Sequence, residues 1–311
     1  MALYLKHSEI DQHRWNQAIQ QASYPTVFAE TDFLDIASPQ WCAIVKDDYE
    51  FVMPLPVRKK WVFSYIFHPN FFPPYGIFSS KIITKELVKE FVDAIPKKYL
   101  QADLVFNPTC DFDKFFLTVK KKRTSLLSLS DSYEHIYHSF AENCKRNIKK
   151  SANFDLKITH HVDIDNIITL FQNNRGKSKN VTLSAIDYAI LQKTGQLLQK
   201  KGLLEIIVVE NANKNLLAGA LFAKDHRRIR FLFSGRDKIF SYKRAMFFLV
   251  NYFIKTHENQ DLILDFHGSM DENLSRFYEG FGANIEEFYT TTKHVNFLFA
   301  CYKSVYICSQ K

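Results

Sequence analysis

Leu262-Ile263-Leu264-Asp265-Phe266-His267-Gly268-Ser269, with Met270-Asp271-Glu272-Asn273 after it and then Arg276-Phe277-Tyr278-Glu279-Gly280-Phe281-Gly282-Ala283, is the stretch on which the fold turns. Residues 262–266 predict a strand, because alternation sends Leu262, Leu264 and Phe266 to one face and Ile263, Asp265 and His267 to the other. Gly268 ends it, Ser269 reads as the cap or first-turn residue of a helix over 272–280, and a further strand covers 284–293. Working back, the periodicities predict strand 155–161, helices 163–174 and 184–201, strands 203–210, 216–224 and 228–234, and helix 241–257. The second half is therefore β-α-α-β-β-β-α-β-α-β, a mixed α/β unit.

The first half repeats this order in outline. Ser8 caps a helix over Glu9 to Ala22 and Thr31 opens a short one to Ala37. Strands follow at 41–46, 50–59 and 61–67, then a helix from Thr84 to Ile95 and strands at 102–106, 116–122 and 125–129. The loop His68 to Gly76 is apolar, and its prolines exclude regular pairing. A long helix from Ser130 or Asp131 to Ser151, acidic first and basic last as the helix dipole favours, joins the halves. The expected domains are 1–130 and 131–311.

Composition narrows the class. At 311 residues, with 46% hydrophobic and 24% charged residues, a disordered or fibrous chain is excluded. The formal charge of +8 biases the surface toward phosphates, anionic headgroups or nucleic acid. The longest apolar stretch, Ala245 to Ile254, is too short to span a bilayer, and the first nine residues turn charged too soon for a signal peptide. With five cysteines at no metal-ligand spacing, the expectation is a cytoplasmic protein with reduced thiols and no metal site.

Two segments carry a family resemblance. Asn143-Cys144-Lys145-Arg146-Asn147-Ile148-Lys149-Lys150-Ser151-Ala152 is similar to an N-x-R-x-x-I-R/K-K-A helix end, and the 264–283 block to a D-F-x-G-S … F-Y-x-x-F-G-A pattern. With the element order they resemble the GNAT-like acyltransferase superfamily in its Fem-type (FemAB-like) aminoacyl and peptidyltransferase branch. Met53-Pro54-Leu55-Pro56-Val57-Arg58 and Tyr75-Gly76-Ile77-Phe78 resemble the first-domain hairpin of bacterial relatives. The resemblance implies an α/β chain of tandem GNAT-like mixed-sheet domains, the first degenerate. It also implies an enzyme that moves an acyl or aminoacyl group to an amine, with a cell-wall precursor as the usual acceptor.

One departure bears on the donor. Acyl-CoA enzymes of this superfamily hold pyrophosphate on a glycine-rich loop at a helix N-terminus. The matching stretch here, Gly235-Arg236-Asp237-Lys238-Ile239-Phe240-Ser241-Tyr242-Lys243-Arg244, is followed by no glycine until Gly268. Arg236, Lys238, Lys243 and Arg244 remain as cations for donor phosphate. Fem-type enzymes use aminoacyl-tRNA instead of acyl-CoA, so both stand as donor substrates, and no tightly bound cofactor is expected.

The remaining chemistry has paired readings. Asp265 and His267, on one strand face, suit a base that deprotonates an amine; equally, Asp265 caps a turn and His267 sits half-exposed. Tyr278 resembles the tyrosine that protonates a leaving group, or packs against Phe277 and Phe281. Lys145, Arg146 and Arg175 are expected at an inter-domain cleft. The basic clusters either funnel a phosphorylated donor or tRNA into one cleft or are solvated edges. The aromatic run Trp61 to Phe78 either touches a lipid-linked acceptor or plugs the domain interface. The expected acceptor is a small-molecule or lipid-linked amine. Two alternatives to the Fem-type reading are a non-catalytic module that holds an anionic ligand or nucleic acid and an acyl-CoA-dependent N-acetyltransferase.

Overall fold

The computed structural model describes residues 1–60, 62–111, 119–160, 162–174, 176, 183–268 and 271–294. The chain divides into two compact units, one of residues 1–122 with the chain from Glu287 onward, the other of Arg123–Glu286. The expected single cut near residue 130 thus becomes two crossings, because most of the last strand groups with the first unit.

In the first unit, β1 (Leu3–Leu5), β2 (Cys42–Lys46) and β3 (Phe51–Leu55) make one antiparallel sheet. β4 (Val57–Lys60), β5 (Phe63–Ile66), β6 (Gln101–Phe106) and the returning strand over 284–294 make a second ladder. The helices are α1 (Gln12–Gln21), α2 (Thr31–Ala37) and α3 (Lys85–Asp93). Asp11, not Ser8, caps α1, accepting from the Arg14 N–H; Ser8 lies in a preceding 3-10 turn. Buried Trp15 and Trp41 pack 4.8 Å apart, and each indole N–H finds an acceptor, Ala29 O and Asp35 Oδ1 respectively, which is what lets two indoles be fully buried. The proline loop belongs to this core. Phe72, Tyr75 and Phe78 are buried, the Tyr75 hydroxyl donates to Phe28 O, and Asn107 Nδ2 donates to Tyr75 O and Ile77 O. Its apolarity serves packing within the unit, which removes those rings from any lipid.

β7 (Val119–Ser128) runs from the end of the first unit into the second, one strand where two were expected, residues 112–118 lying outside the described ones. The expected long helix is two, α4 (Tyr133–His138) and α5 (Glu142–Ser151). Tertiary contact breaks it: the Ala141 N–H donates to Gly280 O rather than within a helix, and a Cβ at Gly282 (φ +77) would lie 2.1 Å from the Ser139 hydroxyl. Then come β8 (Leu156–Thr159), α6 (Ile164–Asn173), α7 (Ala185–Lys200), β9 (Leu204–Asn211), β10 (Leu216–Asp225), β11 (Arg228–Arg236), α8 (Ala245–Thr256), β12 (Ile263–Asp265), α9 (Glu272–Glu279) and β13 (Asn284–His294). The strand order is β7-β12-β11-β10-β9-β8, with β11 and β12 parallel.

Both faces of this sheet are covered, so Ile206, Ile207, Val208 and Val209 on β9 are all buried and the strand reads as a continuous apolar run. Ile167 of α6 packs over Gly219 and Val208 on one face. On the other, α8 places Phe253 flat against Phe222 with centroids 3.9 Å apart. Truncating Phe253 to alanine would cost about 3–5 kcal/mol through lost burial and the cavity left behind. Among the described residues no helix is long and apolar enough to cross a membrane.

Candidate functional site

The site follows from the way β11 and β12 part. They pair at only three positions, Arg228 with Ile263, Ile229 with Leu264 and Arg230 with Asp265. Beyond Arg230, β11 continues to Arg236, whereas β12 has ended. A register shift against β10 adds to the divergence: Phe231 pairs with Phe222 and Phe233 with Leu221, leaving Leu232 as a bulge. A cavity of about 970 Å³ opens in the second unit beside this free stretch of β11, at the upper end of the size range for ligand pockets.

The start of α8 forms one wall, with Arg244, Ala245, Met246 and Phe247 all lining it. Arg244 is the N-cap residue and has φ +59, the left-handed region that glycine enters freely and other residues at a cost. The glycine missing from the sequence is thus missing only as a residue type, because Arg244 supplies the backbone conformation itself. Its guanidinium Nε is buried and has no hydrogen-bond partner among the described residues. No side chain caps α8, so the positive end of that helix is open to a ligand.

Gly235 admits α6 to the opposite wall. A Cβ there would lie 2.6 Å from Ile167 O and 2.7 Å from Phe171 N, so only glycine permits the approach that brings Phe171 and Asn174 to the cavity. From α9 come Arg276 and Tyr278. The Tyr278 ring stacks on Phe266 at 4.6 Å and meets Phe231 edge-on at 6.1 Å. Carboxylates in the lining are held by local donors. Asp237 accepts from the Ile239 N–H at 2.6 Å, Asp271 from the Asn273 N–H at 2.9 Å, and Glu279 from the Ser275 hydroxyl at 2.6 Å. Burial pushes the Cys144 thiol, also in the lining, up to about 12, which keeps it protonated and a poor nucleophile.

Of the residues singled out from sequence, Arg236, Lys238, Arg244 and Tyr278 come together around this cavity. Lys243 does not line it; its ammonium sits over the Phe240 and Phe154 rings at 5.4 and 5.7 Å. Lys145, on α5, donates to His138 O and Glu142, and Arg146 points into solvent. Arg175 and Ser269 lie outside the described residues. Asn143, Asn174 and Arg276 are lining residues that were not singled out. Asn143 opens the first motif segment and Arg276 directly precedes the F-Y-x-x-F-G-A pattern of the second, a signal that was available, whereas Asn174 carries none.

Asp265 and His267 are elsewhere. Asp265 is 2% exposed and its Oδ2 accepts from Arg230 Nη1 at 2.6 Å, while Asp225 takes the Arg230 Nε at 2.6 Å. Asp265 Oδ1 accepts from the Thr124 hydroxyl at 2.6 Å and the His267 N–H at 2.8 Å. Burial alone would raise this carboxyl. The charges of Arg230, His267 and Arg228 with the Thr124 hydrogen bond outweigh it, so the group is held below its ordinary value. An anion so stabilised is a weak base. It fixes the turn after β12, where His267 and Gly268 both have positive φ.

The fold is shared with solved structures. FemX superposes with a TM-score of 0.62 at 11% identity, over 91% of this chain and 96% of that one. The C-terminal domain of a putative lysylphosphatidylglycerol synthetase from Agrobacterium fabrum gives 0.57 at 12% identity over 95% of each chain. L-PGS from Bacillus licheniformis gives 0.52 at 10% identity over 92% of each. The chain therefore has the mixed α/β fold of these three structures along nearly its whole length. No family model matches the sequence, and no curated protein does.

Proposed function

We propose that the second unit binds a phosphorylated donor in the α8 cavity and transfers its acyl or aminoacyl group to an amine. The observation that carries this reading is the buried, unpartnered Nε of Arg244 at the uncapped start of α8, a cationic donor set that a phosphate oxygen would complete. Arg236 and Lys238, both exposed at the rim, add charge that draws an anion in. The edge of β11 beyond Arg230, which β12 leaves unpaired, offers backbone N–H groups to the oxyanion that develops on the acyl carbon.

The chemistry is then mostly positioning. The neutral amine attacks the carbonyl carbon, the C–N bond forms, and the ester or thioester bond to the donor breaks. The amine loses its proton, and the leaving oxygen or sulfur takes one from the Tyr278 hydroxyl, which solvent restores. Asp265 has a structural part in this reading and no proton to move. The likeness to FemX and to the two synthetases supports the fold on which such transfer is built, and residue geometry supports the rest.

A second reading, a binding module that holds an anionic ligand without turnover, is favoured by one observation: no histidine lines the cavity among the described residues. One experiment separates the two. Labelled aminoacyl-tRNA and acyl-CoA are each incubated with the protein and a panel of amines. Transfer of label to an amine, lost on Arg244→Met, supports the transferase; donor retained but never consumed supports the binding module.

A further inference from the structure

Four rings from three elements run together along the α8 cavity. Phe247 of α8 meets Phe277 of α9 edge-on with centroids 4.9 Å apart, Phe277 meets Tyr278 at 5.7 Å, and Tyr278 meets Phe231 of β11 at 6.1 Å. All four residues line the cavity, as do Met246 and Leu274. Phe247, Phe277, Met246 and Leu274 are each half-buried, which leaves apolar surface facing the cavity space. Apolar surface gathered inside a concavity suits a part of a ligand that is itself apolar.

The charges of the lining do not suit a cationic group. An ammonium in this space would need a carboxylate to receive it. The lining carboxylates among the described residues are Asp237, Asp271 and Glu279, and each accepts from a donor of its own turn or helix. Arg236, Lys238 and Arg244, in the same lining, add repulsion.

Tyr278 ties the wall to the reaction. Its hydroxyl, in the transferase reading, protonates the leaving oxygen or sulfur, the atom bonded to the acyl carbon. The rings on either side of Tyr278 thus flank the acyl group, whereas the phosphate is held at Arg244.

We propose that this aromatic wall selects the acyl group, favouring donors whose acyl group carries an apolar tail or side chain larger than a methyl. The inference rests on the transferase reading and adds the class of group transferred. Each methylene buried against the wall contributes about fourfold in affinity.

The test uses the full chain with two donor series, acetyl-, hexanoyl- and decanoyl-CoA, and tRNA charged with alanine, lysine or phenylalanine. Binding is followed by calorimetry and transfer by label moved to a panel of amines. Hexanoyl- or decanoyl-CoA is expected to exceed acetyl-CoA, or phenylalanyl-tRNA to exceed the alanyl and lysyl forms, by about tenfold or more. The series that responds tells a fatty acyl group from an apolar aminoacyl group. Phe277→Ala is expected to remove this preference and to leave the small donors bound as before. Should that variant fail to fold, Leu274→Gln, which keeps the size and adds an amide, carries the test. Donors that bind or react regardless of their acyl group, or best with lysine, overturn the proposal and leave the transferase reading standing. Equal weakening of every donor by a folded variant also overturns it, because the wall would then hold the nucleotide that all donors share. If no donor of either series binds, the transferase reading fails and the proposal with it.

Discussion

Arg230 Nη1 lies 2.6 Å from Asp265 Oδ2, with the two side chains 1% and 2% exposed, at the last position where β11 and β12 still pair. The pair is therefore the hinge of the divergence that opens the cavity, with Asp225 and Thr124 satisfying further polar atoms around it. Two buried charges of this kind gain little over an apolar pair, but removing one strands the other.

Asp265→Ala is accordingly expected to destabilise the second unit by about 3–5 kcal/mol. The measurement is urea unfolding followed by tyrosine fluorescence and circular dichroism. Because the folded-state carboxyl is held below its ordinary 3.8, its contribution is present above that value and lost as pH falls through the lower folded value. The wild type should thus lose stability below about pH 4 more steeply than the variant.

His257 gives a dependence of the opposite sign. Its Nε2 is 3.2 Å from Glu205, and its ring stacks on Phe253 at 4.1 Å. Burial lowers its pKa, but the Glu205 hydrogen bond, the Phe253 carbonyl and the Glu205 charge together raise it above the ordinary 6.5. A raised pKa stabilises fully below the unfolded value and is lost as pH rises through the folded one. Glu205→Gln should bring the His257 titration, followed by NMR, down toward or below 6.5 and remove that pH-dependent stability.

Gly235 tests how tightly α6 meets the sheet. With Ile167 O and Phe171 N the atoms that an added methyl would strike, backbone rather than a flexible side chain must move. Gly235→Ala is expected to cost about 1–3 kcal/mol in urea unfolding and to weaken any ligand of the cavity.

Arg244 should show a trade between stability and binding. Glycine relieves a left-handed backbone, is the better N-cap, and removes a buried Nε that has no partner among the described residues. Arg244→Gly is thus expected to leave stability unchanged or raise it by about 1 kcal/mol. The same unfolding curves repeated with ligand should show that its ligand-induced stabilisation is gone.

Much of the fold was legible because local chemistry agreed with it. Ser184 caps α7 through a reciprocal bond with Asp187, and the apolar runs of β9 to β11 contain no Pro and only Gly219 and Gly235. Where tertiary contact overrode local pattern, the sequence reading missed: the acidic-to-basic gradient over 130–151 suits one helix, but Gly280 and Gly282 arrive from 140 residues away to split it. The site divides in the same way. Cations in one short stretch, Arg236 to Arg244, could be grouped by eye. Asp265 was placed on its strand correctly, yet its role depends on Arg230 of a neighbouring strand, a contact that alternation within one strand does not reveal.

The most direct test of the α8 cavity as a donor site is thermal unfolding at fixed low salt with acetyl-CoA, long-chain acyl-CoA, bulk aminoacyl-tRNA and inorganic phosphate, on the wild type and Arg244→Gly in parallel. A phosphorylated ligand at a hundredfold excess over its dissociation constant stabilises by about 2.7 kcal/mol. The account predicts a raised midpoint for the wild type with at least one donor and little or none for Arg244→Gly. Equal shifts in both proteins, or none in either with any donor, would contradict it.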